Sequence, residues 1–134
     1  MDVASLKDIP FFSQLSARER KLVAQHADEI DLGPGTHLAD TGRVAQELFV
    51  IVTGTADVFD GEQKINEVGP GDVIGEIGLL KTTRRIATVV TTSSLRAIVM
   101  YGPELKALNE SAPQLFTQLE ALVEERLRRN AEGT

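Results

Sequence analysis

Turn residues interrupt the middle of this chain about every 8–12 residues, and that spacing most limits what it can fold into. From Glu29 to Met100, short segments rich in Val, Ile, Thr and Phe are separated by Gly33-Pro-Gly35, Thr41-Gly42, Thr53-Gly54, Asp60-Gly61 and Gly69-Pro-Gly71-Asp72. Such a pattern builds an all-β sandwich, roll or barrel. Strands are expected near 29–32, 36–39, 47–53, 55–59, 64–68, 73–75, 85–92 and 94–100, with Asp60-Gly61 marking a hairpin. Apolar runs such as Leu48-Phe-Val-Ile-Val52 suit a buried strand, since a membrane helix needs about 20 apolar residues.

Helical periodicity flanks this region. Ser16-Ala-Arg-Glu19 reads as a capping box, in which the Ser16 hydroxyl accepts from the Glu19 amide and the Glu19 side chain reaches back. Leu22, Val23 and Ala27 continue it, giving a helix over about 16–27. Ile9-Pro-Phe-Phe12 before it reads as a turn whose two aromatics pack in the core. After Gly102-Pro103, Leu105 and Leu108 mark a short helix, and Pro113 opens a longer one. Leu115, Phe116, Leu119, Leu122, Val123 and Leu127 form its apolar stripe, too short for a coiled coil. Glu124→Arg128 and Glu125→Arg129 are i,i+4 pairs on a solvated face, and the arginines suit the negative end of the helix dipole.

Charge and composition exclude several functions. With 14 Lys+Arg against 20 Asp+Glu the formal charge is −6, and the pI is near 4.9. That argues against broad binding to nucleic acid or anionic membrane, which needs a basic face. The absence of Cys removes thiolate catalysis, redox pairs and Cys-type zinc sites. The 134 residues suit a single domain with its own core, divided here into a helical lead-in (1–28), a β-region (29–101) and C-terminal helices (102–131). The charged N-terminus is unlike a secretory signal, so the cytoplasm is the expected setting.

Catalytic constellations are absent. There is no GxSxG elbow, and His26 lies late in a helix. His37 lies in a strand, but the HxH pair of a metal-binding cupin barrel is missing because its i+2 neighbour is Ala39. A metal-dependent cupin-like enzyme is therefore disfavoured, and no metal site or enzymatic activity is expected. Gly69-Pro-Gly71-Asp-Val-Ile-Gly75 is one residue too long for GxGxxG and lacks a strand–turn–helix setting.

One segment points to a ligand. Gly75 breaks a strand, and Glu76-Ile-Gly-Leu-Leu80 can form a helical turn whose free amides converge on one spot. Arg85 follows where the next strand begins, and a guanidinium can hold a phosphate bidentately.

Gly75-Glu76-Ile-Gly-Leu-Leu80, a loop of four, then Arg85-Ile-Ala-Thr-Val89 resembles the phosphate-binding cassette of cyclic nucleotide-binding domains. These occur in protein kinase A regulatory subunits, bacterial catabolite activator proteins and cyclic-nucleotide-gated channels. Leu32-x-x-Gly35-x-x-Leu38-x-x-x-Gly42 and Glu47-Leu-Phe-Val-Ile51-x-x-Gly54-x-Ala-x-Val58 extend the resemblance over about residues 6–130. It implies a mainly β fold: an eight-stranded β-roll or jelly roll of double-stranded β-helix type, flanked by N-terminal helices and a C-terminal lid helix. It also implies roles. Glu76 would accept from the ribose 2′-OH, Arg85 would pair with the cyclic phosphate, and amides of Gly75, Glu76, Ile77, Gly78 and Leu79 would add donors. Ile86 and Ala87 complete the expected ligand-binding set, with Ile74, Arg84 and Thr88 as auxiliaries. The C-terminal helix would close over the base, a population shift driven by ligand.

Three departures matter. Arg84 stands where the family usually has Pro, which loosens the loop and adds a charge. Ile74 replaces the common Phe. Ile86 stands where cyclic-GMP-selective kinase sites usually carry Thr, which favours cyclic AMP. The resemblance thus implies a cyclic AMP sensor with no cofactor, read by an unidentified effector protein, with the C-terminal helix as the surface for any homodimer. The sequence ends at Thr134 without a helix-turn-helix segment, so direct DNA binding is not expected. The alternative is an interaction module that keeps the fold but has lost nucleotide binding.

Overall fold

The computed structural model describes residues 6–75, 85 and 87–132. Among them are eight strands: β1 (Asp28–Leu32), β2 (His37–Ala39), β3 (Glu47–Thr53), β4 (Ala56–Asp60), β5 (Gln63–Val68), β6 (Val73–Ile74), β7 (Thr88–Thr91) and β8 (Leu95–Tyr101). They pair antiparallel in two four-stranded sheets, ordered β1-β8-β3-β6 and β2-β7-β4-β5. The chain passes from one sheet to the other at most connections, and so winds the pair into the expected β-roll. Boundaries move slightly. The strand expected over 85–92 is Thr88–Thr91. The β4–β5 hairpin loop is Gly61-Glu62, with Asp60 already paired to Gln63 and Gly61 at φ +61.

The sheet containing β3 and β8 is buried on both faces, which explains their nearly continuous apolar sequences. Side chains alternate along a strand. Phe49, Ile51, Ala97 and Val99 therefore fill the roll with Leu38, Ile74 and Val89. Leu48, Val50, Ile98 and Met100 face outward into a second core shared with the helices.

Four helices among the described residues contribute to that second core: α1 (Pro10–Ser13), α2 (Ala17–His26), α3 (Gly102–Ala107) and α4 (Pro113–Glu132). The segment expected as a turn at 9–12 is the short helix α1, started by Pro10 at its first position. Phe12 is buried and meets Phe11 edge to face at 5.1 Å. Leu115 and Leu119 of the α4 stripe are buried here, with Phe116 and Leu122 packed alongside. Glu124, Glu125 and Arg128 are exposed, as a solvated face requires.

Half of the expected capping box forms. Ser16 Oγ accepts from the Glu19 amide at 3.2 Å. The Glu19 carboxylate does not return to Ser16. It is buried and accepts the amides of Gln114 (3.2 Å) and Leu115 (3.0 Å) in the first turn of α4. The Ser16 amide instead donates to Gln114 Oε1 at 2.9 Å. The physical reason is electrostatic. A helix N-terminus offers several free amides and the positive end of the dipole, against the single amide available at Ser16. No described helix is long and apolar enough to cross a membrane.

Candidate functional site

The site is organised around Arg85, a cation only 6% exposed. A buried charge must be paired or fully hydrogen-bonded, and the fold meets this requirement from two strands. Nη1 donates to the Gly75 carbonyl at 3.0 Å. Nη2 donates to the Glu47 carbonyl and to Glu47 Oε1, the latter at 3.4 Å. The main chain fixes Arg85 as firmly: its amide donates to the Arg43 carbonyl at 2.7 Å, and the Gly42 amide donates to its carbonyl at 3.0 Å.

Gly75 closes β6 and forms one wall of this socket. Its φ is +91, which L side chains rarely adopt. A Cβ there would also lie 2.0 Å from Arg85 Nη1 and 2.9 Å from the Glu47 carbonyl oxygen. The glycine therefore serves both the backbone turn and the approach of the guanidinium.

Beside Arg85 opens a cavity of about 420 Å³, lined by His37, Leu38, Ala39, Asp40, Arg43, Val44, Gln46, Glu47 and Arg85. Its volume falls in the range of small-molecule pockets. His37 Nδ1 lies 2.6 Å from Asp40 Oδ1, so the histidine weighed as a metal ligand is half of an imidazole–carboxylate pair. His26 similarly meets Glu104 at 2.7 Å. Among the described residues no cluster of three or more His, Asp or Glu is arranged to hold a metal.

The structure brings together some of the expected site residues. Arg85 and Gly75 are in contact. Ile74 lies in the roll interior, paired in register with Phe49. Ala87 is half-buried just before β7. The Thr88 hydroxyl holds the neighbouring loop: it accepts the Thr41 amide at 3.1 Å and lies 3.0 Å from the Thr41 hydroxyl. Glu76, Ile77, Gly78, Leu79, Arg84 and Ile86 lie outside the described residues. Glu47, Arg43 and Asp40 line the cavity without having been singled out from sequence. Glu47 and Arg85 are 38 positions apart, and an acid opening a strand carries no local mark of its distant partner.

The α4 stripe expected to cover the ligand is packed in the helical core, and no α4 residue lines the cavity among the described residues.

Residues 29–111 match the family model described as the cyclic nucleotide-binding domain. The chain is 32% identical over 104 residues to a cAMP-dependent protein kinase regulatory subunit of Mycosarcoma maydis, covering 71% of this chain and 20% of that protein. Among solved structures it is similar to the catabolite activator protein of Thermus thermophilus, with TM-score 0.82 and 25% identity over 92% of this chain and 61% of that one. It is also similar to the regulatory subunit of a cAMP-independent protein kinase A from Trypanosoma brucei, with TM-score 0.69 and 25% identity over 81% of this chain and 43% of that one. The chain thus spans about a fifth of the length of the fungal relative.

Proposed function

Because the chain belongs to the cyclic nucleotide-binding domain family, a family of regulatory binding domains rather than enzymes, we propose that it senses cyclic AMP. The observation that carries this is the buried Arg85 at the wall of the cavity. Its guanidinium is held in place by two carbonyls, but its contact with Glu47 Oε1 is long, at 3.4 Å, near the limit of a hydrogen bond. A cyclic phosphate offers two anionic oxygens, and charge-assisted bonds to them are shorter and stronger. Glu47 is a quarter exposed and can turn to water when the phosphate takes its place.

In this proposal Glu76 accepts from the ribose 2′-OH, which selects ribonucleotides. Amides from Gly75 to Leu79 add donors to the phosphate. Ile86, lacking a hydroxyl for guanine, favours cyclic AMP over cyclic GMP. Helix α4 acts as the lid. Its stripe is packed in the helical core here, so closure would exchange those contacts for contacts with the base, and ligand shifts the balance only by binding the closed form better. The output passes to an effector protein in the cytoplasm.

Isothermal titration with cyclic AMP and cyclic GMP tests this. Binding of cyclic AMP, tighter than of cyclic GMP, is expected. No heat and no thermal shift at millimolar nucleotide overturns it.

A second reading has its own support. Glu47 already satisfies Arg85, and one structural neighbour belongs to a cAMP-independent kinase. An interaction module that keeps the fold without the ligand fits these facts. A full response to nucleotide would remove its basis.

A further inference from the structure

The cavity holds two arginines, and their situations differ. Arg85 is buried and already neutralised by Glu47. The second acid on the wall, Asp40, is engaged by His37 at 2.6 Å. Arg43 lines the same cavity, is exposed, and has no acid within ion-pair distance among the described residues. Its main chain is nevertheless fixed, because its carbonyl accepts the Arg85 amide at 2.7 Å and its amide donates to the Asp40 carbonyl at 3.1 Å. A cation whose head meets no acid among the described residues and whose backbone is anchored, beside a socket whose own cation is occupied, is the group an incoming anion meets first.

We infer that Arg43 is a second ligand-contacting residue, which draws the phosphate of a singly charged phosphodiester into the cavity and holds it while Glu47 yields Arg85. This rests on the proposed function. It also explains how a chain of formal charge −6 captures a small anion: the overall field is repulsive, but at about 10 Å screening length in 0.1 M salt the local cation governs the encounter. The long-range penalty is screened away, while Arg43 acts at contact distance.

The test compares parent, Arg43→Gln and Arg43→Lys by titration with cyclic AMP at about 50 and 500 mM salt, where screening lengths differ roughly threefold. Arg43→Gln is expected to bind about 3–10-fold more weakly at low salt, the scale of one partly exposed charge-assisted contact, with the gap narrowing at high salt. Arg43→Lys should retain most of the affinity. Since the Arg43 side chain makes no internal bond among the described residues, the variants should fold with the parent's Tm. Parent-like affinity for Arg43→Gln at both salts would overturn the role of Arg43 and leave the proposed function standing. A second arm follows the Arg43 Nε–H resonance of the parent during titration with inorganic phosphate. A shift is expected there even if no nucleotide binds, in which case the anion contact stands and the proposed function fails. If neither nucleotide nor phosphate has any effect, both are wrong.

Discussion

The carboxylate of Glu19 accepts the backbone amide of Leu115 at 3.0 Å and that of Gln114 at 3.2 Å, across 96 and 95 positions of sequence. Gln114 Oε1 in turn accepts the Ser16 amide. The starts of α2 and α4 therefore cap each other. The bonds from Glu19 are made out of reach of water, since its side chain is 2% exposed. The base of α4 is thereby tied to the N-terminal helices, whatever its far end does.

Glu19→Ala removes both bonds and leaves two amides of a helix start unpaired in a buried place. Hydrogen bonds to a charged group contribute about 1.5–3 kcal/mol, and loss of a helix cap costs about 0.5–2 kcal/mol. A loss of roughly 2–3 kcal/mol is expected in denaturant unfolding. Glu19→Gln keeps one acceptor and should lose less. Parent-like stability of both variants would show that the reciprocal cap is not a stabilising contact.

The pair Asp31 and Arg96 gives a pH dependence whose sign is fixed. They face each other in register across β1 and β8, with Arg96 Nε donating to Asp31 Oδ1 at 2.9 Å. That hydrogen bond, helped by the charge of the guanidinium, holds the Asp31 carboxyl below its ordinary value. A lowered folded pKa means stability that is present above the unfolded value and lost as pH falls through the folded one. Carboxyl NMR titration should place Asp31 below a free aspartate, and Arg96→Gln should return it toward that value. An Asp31 that titrates identically in both proteins contradicts the pairing.

The roll was legible because its causes are local. Glycine turns and short apolar segments set the strands, and their alternation in β3 and β8 set the two cores. The capping box was legible only in part. Ser16 and Glu19 meet within one helical turn, but the better partner for the Glu19 carboxylate arrives 95 positions later. The site divides in the same way. Gly75 and Arg85 are marked by the cassette's spacing, whereas Glu47 and Arg43 come to the cavity only through the fold, which sets the start of β3 and the loop before it beside Arg85. The stripe on α4 matches the face that packs inward from Leu115 to Val123, with the Leu127 side chain outside the described residues, but periodicity does not say which surface such a face will cover.

Gly75→Ala should affect both fold and site. The left-handed backbone at φ +91 costs a residue with a Cβ about 1–3 kcal/mol. The added methyl also meets Arg85 Nη1 and the Glu47 carbonyl, so the guanidinium must leave its socket. A lower Tm together with weakened cyclic AMP binding is expected. A variant with lowered Tm and parent affinity would show that the position of Arg85 does not govern binding.

Glu47 and Arg85 give opposite signs from one ion pair. Arg85→Ala removes the proposed phosphate partner and should weaken cyclic AMP binding by roughly 1.5–3 kcal/mol, the scale of a charge-assisted hydrogen bond. Glu47→Gln instead removes the carboxylate that, in the proposed function, competes with the phosphate for Arg85. The guanidinium keeps its bonds to the Gly75 and Glu47 carbonyls but loses its charge partner at 3.4 Å. The free protein should be less stable, because a buried cation is left uncompensated, while bound phosphate restores the compensation. Nucleotide affinity should therefore rise about 2–5-fold, in keeping with the modest strength of a long contact, and Tm should fall without ligand but recover more than the parent's when cyclic AMP is added. If Glu47→Gln instead lowers affinity as Arg85→Ala does, Glu47 is a ligand-supporting residue, and the exchange of carboxylate for phosphate is wrong.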